Sequence, residues 1–151
     1  MAHEQLSRIH ELARMRARAA LERASAAERR VAEALSESQA ARDALAELAA
    51  TQSAERAERI ARILAGPASP ARLARVGLQY DMDAEDRAAQ ERRIAQCDAA
   101  AAARRRDLER ERGEARMAAN RETKLAGSLE RISRVARLSQ EGASESDADA
   151  P

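Results

Sequence analysis

Phenylalanine and tryptophan are absent from this 151-residue chain, and Tyr80 is its one aromatic residue. Large aliphatic and aromatic side chains supply most of the burial free energy of a rounded domain, and alanine adds little because it removes little surface from water. An apolar content of 44% that is mostly alanine therefore argues against a compact globular core. Cysteine is also scarce. Cys97 stands alone, which rules out an intramolecular disulfide and a thiolate-rich metal cage. No charge sign is in excess, with 27 basic against 26 acidic side chains interleaved along the chain, so no net field draws it to nucleic acid or anionic lipid. No stretch approaches the roughly 18 to 20 apolar residues of a membrane span. The opening MAHEQLSRIH lacks a basic segment followed by an apolar run, and the expectation is a cytoplasmic protein without direct membrane insertion. The five glycines are scattered and form no phosphate-binding loop.

What remains is Ala, Glu, Arg and Leu at helical spacing, the composition of long helices and coiled coils. Leu6, Ile9, Ala13, Ala17, Ala20, Ala24, Ala27, Val31, Ala34, Ala41, Leu45 and Leu48 recur mostly at three and four, a stripe along one helix face. A second stripe runs from Leu73, Val76 and Tyr80 through Ile94, Cys97, Ala101, Leu108, Ala115, Ala118 and Leu125 to Leu129, Ile132 and Val135. Asp83, Arg87, Arg104, Glu111 and Glu122 interrupt it.

Between the stripes lies LAGPASPARL, residues 64–73, where stop and start signals are adjacent. Gly66 suits a left-handed cap ending the first helix, and Pro67 cannot continue it. Ser69 is placed as N-cap of the next helix, with Pro70 at its first position. So short a connection favours antiparallel neighbours. The predicted fold is all-α: a long antiparallel two-helix coiled-coil hairpin over 1–140, with a helix at 4–65, a turn at 66–69 and a helix at 70–140. Residues 141–151, EGASESDADAP, are predicted to be a disordered acidic tail. Folding the stripes about the turn sets Ile60 and Leu64 against Val76 and Leu73. At the other end it sets Leu6, Ile9 and Leu12 against Ile132, Leu129 and Leu125. The alanine stretch between should bury little per turn, making the ends the firmer parts. Gly77, Gly113 and Gly127 within the second helix each cost about 1 kcal/mol relative to alanine and invite bends or fraying.

Candidate chemistry is thin. His3 and His10 are seven apart and would need at least one further ligand to hold a metal. Cys97 reads as a small buried hydrophobe. The run RRRDLERER, residues 104–112, reads as a solvated face of Glu and Arg pairs at three and four, because nucleic-acid binding calls for unmatched basic groups or aromatics to stack on bases. No cofactor, metal or catalytic residue is expected, and the chain is read as a non-enzyme. The segment SPARLARVGLQYDMD is the most informative. Leu73, Val76 and Tyr80 share a face while Leu78 and Met82 lie elsewhere, more apolar circumference than one partner helix covers. Such a surplus marks a contact site, or a local third element packing back.

A hairpin of this length, with a Ser- and Pro-bearing turn followed by a leucine and a tyrosine early in a longer second helix, resembles the stalk proteins of type III export, the FliJ, YscO and HrpO family. The likeness covers roughly residues 5–140 and rests on layout and on SPARLARVGLQY. Flagellar members tend to carry more aromatics near the turn, so the single Tyr80 favours the virulence-type branch. The resemblance implies a stalk that inserts the end bearing both termini into a hexameric secretion ATPase and reaches the cytoplasmic domain of the export gate with the other. Carried onto this chain, the ATPase-contact candidates are Arg8, Arg14, Arg16, Arg18, Arg131, Arg134 and Arg137. The gate-contact candidates are Leu73, Val76 and Tyr80, with Leu48 further along the first helix. The implied place is cytoplasmic, peripheral at the secretion apparatus on the inner-membrane side, with secretion chaperones as further candidate partners and the stalk itself a candidate for export. The stalk would be a monomer or weakly self-associating. The alternative reading is a homodimerising coiled-coil scaffold or chaperone-like protein, in which a second copy completes the alanine seam as a four-helix bundle.

Overall fold

The structure is a computed structural model that describes residues 2–67 and 69–148, with side chains from 4 to 140. It is all-α: helix α1 spans Ala2–Leu64 and helix α2 spans Pro70–Ala148, packed antiparallel as a helical hairpin. The start of α2 follows its sequence signals. Ser69 accepts the Arg72 amide on its hydroxyl at 3.3 Å, the Leu73 amide bonds the Ser69 carbonyl at 3.1 Å, and Pro70 occupies the first helical position. The end of α1 does not. No glycine among the described residues has a positive φ, so Gly66 is not a left-handed cap. Instead the Ala65 amide bonds the Ala61 carbonyl at 3.1 Å and the Gly66 amide bonds Ile63 at 3.4 Å, a tightening last turn that Pro67 then stops.

A further expectation concerns the glycines of the second helix. Gly77, Gly113 and Gly127 sit inside unbroken helix, because the tertiary seam and the neighbouring helical turns outweigh about 1 kcal/mol at each. Helix α2 runs to Ala148, while the side chains of 141–148 lie outside the described residues. The remainder of the expected tail lies outside the described residues.

Contacts gather into two units, the first 28 residues with those from Asp107 onward, and Arg29–Arg106. In the terminal unit the α1 side of the seam runs through Leu6, His10, Ala13, Ala17, Ala20, Ala24 and Ala27, alternating steps of four and three. In the turn unit it continues as Val31, Ala34, Ser38, Ala41, Leu45, Leu48 and Gln52, then steps by four again to Arg56 before Arg59 and Ile63. Two successive steps of four are a stutter, which shifts the facing stripe around the helix. This shift is why Ile60 and Leu64 do not face α2 as expected. Both are exposed, and Ile63 lies beside Val76 instead.

Fractional burial is deepest along the alanine stretch. The most buried apolar residues are Ala20, Ala24, Ala27 and Leu108 in the terminal unit and Ala34, Ala41 and Ala101 in the turn unit. Small side chains let backbones approach until little surface is left to water, whereas Ile9, Leu12, Leu64 and Leu73 stand partly clear of one partner helix.

Candidate functional site

Three of the five polar residues that interrupt the second stripe, Asp83, Glu111 and Glu122, pin the seam. In the terminal unit Glu122, read from sequence as an interruption, meets His10 Nε2 at 3.3 Å. Glu111, another, accepts from Arg23 Nε at 3.3 Å, while Arg23 also reaches Glu114 at 3.5 Å. Arg112 pairs with Glu28 at 2.9 Å across the helices and with Glu109 at 3.2 Å along its own. The hydrogen bond to Glu28 raises the Arg112 pKa above its ordinary value. The block 104–112 is therefore a solvated face only in part: Leu108 within it is buried, and Glu111 and Arg112 reach the opposite helix.

The turn unit holds a denser polar layer. Gln52 is buried and donates through Nε2 to the Asp83 carbonyl at 3.0 Å. Arg59 Nη2 meets the Asp83 carboxylate at 3.0 Å, with both side chains only 12% exposed. Arg56 lies over the Tyr80 ring at 4.8 Å from its centroid and Arg59 at 5.8 Å, so the single aromatic residue is covered by two cations. Gln52 Oε1 and Arg56 Nε are buried without a partner. Two heptads from Gln52 along α1, Ser38, 1% exposed, donates to Asp98 at 2.5 Å, and Arg42 bonds both Ser38 and the Asp98 carboxylate at 2.8 Å.

The sequence reading passed over Ser38, Gln52, Arg56 and Arg59 because they are polar, and weighed His10 as a metal ligand. Their positions carried the signal: Ser38 falls midway between Ala34 and Ala41, and His10 between Leu6 and Ala13, on the rhythm of the stripe. A polar residue at such a position must find a partner across the seam or leave a costly vacancy.

The candidate contact residues fall into two groups. Of the gate candidates, Leu73 is 53% exposed, Val76 is half-buried beside Ile63, Tyr80 is half-buried beneath Arg56 and Arg59, and Leu48 is half-buried in the seam. Leu78 and Met82 are also exposed, so the start of α2 carries more apolar surface than α1 covers. Among the described residues no third element packs on it. Of the arginine candidates, all seven are exposed. Arg8 and Arg18 pair along their own helix with Glu4 and Glu22, and Arg131 and Arg137 bond carbonyls one turn back. Cys97 is free and half-buried on the seam. Among the described residues no cluster of His, Cys, Asp and Glu is arranged to hold a metal ion, and no helix is long and apolar enough to cross a membrane. His3 lies outside the described side chains.

No family model matches the chain, and neither a curated protein nor a solved structure does.

Proposed function

We propose that this chain is a non-enzymatic central stalk of a type III secretion ATPase complex, which stimulates or assembles the hexameric ATPase and couples it to the export gate. One observation carries the reading. Arg23, Arg42, Arg59 and Arg112 form ion pairs across the helices, whereas Arg8 and Arg18 pair along their own helix, Arg131 and Arg137 bond carbonyls one turn back, and Arg14, Arg16 and Arg134 make no ion pair among the described residues. Those seven are exposed and take no part in the seam, which supports a role in pairing with carboxylates lining a pore. Such contacts steer association and weaken with salt.

The test is ATP turnover by a hexameric secretion ATPase with and without the full chain. Stimulation is expected, and the triple change Arg131→Glu, Arg134→Glu and Arg137→Glu should abolish most of it at unchanged helicity. Undiminished stimulation by the triple variant would remove this end from the ATPase contact. The second reading, a homodimerising scaffold, draws on the exposed Leu21, Met15 and Leu35 flanking the alanine seam. Light scattering that returns a stable dimer, with no effect on the ATPase, would favour it.

A further inference from the structure

The terminal unit carries a groove between α1 and α2 whose apolar lining neither its own packing nor the stalk reading uses, although Arg16 on its rim is shared with the proposed ATPase contact. Its volume is about 550 Å3. Ala13, Ala20 and Ala118 form a floor of small side chains. Ile9 and Leu12 on one wall and Met117 on the other are 51%, 49% and 56% exposed. From Ile9 to Arg23 the groove follows about 21 Å of α1 at 1.5 Å per residue, the length of a four-turn helix. A floor of alanine lets another backbone come close, and larger residues on both sides offer walls for its anchors. Methionine at one wall accommodates side chains of varied shape.

The rim decides which helix fits. Arg16, Arg23 and Arg121 border the groove, with Glu114 the acidic residue there. Glu114 is matched by Arg23, whereas Arg16 and Arg121 have no ion-pair partner among the described residues. The surroundings lean the same way, since residues 4–23 and 114–137 hold eleven basic against six acidic side chains. A second copy placed groove to groove about a twofold axis would set Arg16 and Arg121 against the same arginines, pairing like with like. We infer that this groove binds an amphipathic helix of a partner protein whose apolar stripe is flanked by acidic residues. The inference does not depend on the stalk reading and stands or falls on different residues from Arg131, Arg134 and Arg137.

The test uses the full chain and two fluorescein-labelled 18-residue peptides with the same leucine stripe at helical spacing, one flanked by glutamate and one by lysine, followed by anisotropy. The glutamate peptide is expected to bind at least tenfold more tightly than the lysine peptide, with affinity falling as salt rises. Met117→Asp should weaken it at least tenfold. To separate loss of binding from unfolding, Arg16→Glu with Arg121→Glu, both at exposed positions, should invert the peptide preference while leaving helicity and melting unchanged. Equal binding of both peptides, binding indifferent to these changes, or no binding would overturn the proposal. So would a stable dimer of the chain that Met117→Asp dissociates, because the groove would then belong to a second copy.

Discussion

The Ser38 hydroxyl, on α1, donates a 2.5 Å hydrogen bond to the Asp98 carboxylate on α2, and Arg42 one turn along α1 clamps the same carboxylate through both oxygens at 2.8 Å. The Ser38 bond is the main reason that Asp98 titrates below the ordinary carboxylate range; partial desolvation works against it and the Arg42 charge adds to it. A carboxyl lowered on folding stabilises the hairpin above its unfolded pKa of about 3.9, and that contribution is lost as pH falls through the lower folded value. The difference in melting temperature between the native chain and Asp98→Asn should therefore be constant at neutral pH and shrink below about pH 4. A difference that does not change with acid would show that the triad contributes nothing through charge.

The polar layer of the turn unit makes opposite predictions for two neighbours. Asp83→Ala removes the cross-helix carboxylate of Arg59 from a site where both side chains were 12% exposed, leaving it only Glu55 at 3.5 Å along its own helix, and should cost about 2 to 3 kcal/mol in urea unfolding. Gln52→Leu removes a buried acceptor that has no partner, at the expense of one bond to the Asp83 carbonyl, and should be neutral or stabilising. The reverse order of the two variants would mean that Gln52, not the ion pair, holds this layer together.

Tyr80 is covered by Arg56 and Arg59, so its first role is inside the hairpin. Tyr80→Phe should be tolerated, while Tyr80→Leu should lose roughly 1 kcal/mol by removing the ring face beneath two cations. Leu73, 53% exposed, is the cleaner probe of the proposed gate contact. Leu73→Ala should weaken binding to the export-gate domain without altering the melt. If Leu73→Ala binds the gate domain as the native chain does, the contact lies elsewhere.

A Cβ added at Gly77, Gly113 or Gly127 meets nothing within 4 Å. Replacing each by alanine should then stabilise the chain by up to about 1 kcal/mol through helix propensity alone. Thermal melts of the three single variants check this, and any loss of stability would reveal a packing role that the open space around these positions does not suggest.

The N-terminal boundary of α2 was legible because it is set by local chemistry: Ser69 offers an oxygen to the Arg72 amide, and Pro70 has no amide to satisfy. The end of α1 was legible in place but not in geometry. Pro67 forbids continuation whatever the conformation of Gly66, so one stop signal masked the form of the other. The exposed apolar start of α2, with Leu73, Leu78 and Met82, could be read because three bulky residues point around a helix that has a single neighbour.

By itself the sequence determined that this protein is two long helices joined at residues 66–69, because alanine-rich stripes at three and four, charge elsewhere and a proline-bounded turn leave no other economical way to bury apolar surface. Which residues face the seam depends on how the two helices pack. A stripe is a band about a helix, and a single extra step of four between Gln52 and Arg56 exchanges Ile60 and Leu64 for Arg56, Arg59 and Ile63. Whether a polar residue on that band is an interruption or a pin depends on what stands opposite: Glu122 has His10, Asp83 has Arg59, and Asp98 has Ser38 and Arg42. Such partners are tens of residues apart in the chain, and bringing them together is what packing, not local propensity, achieves.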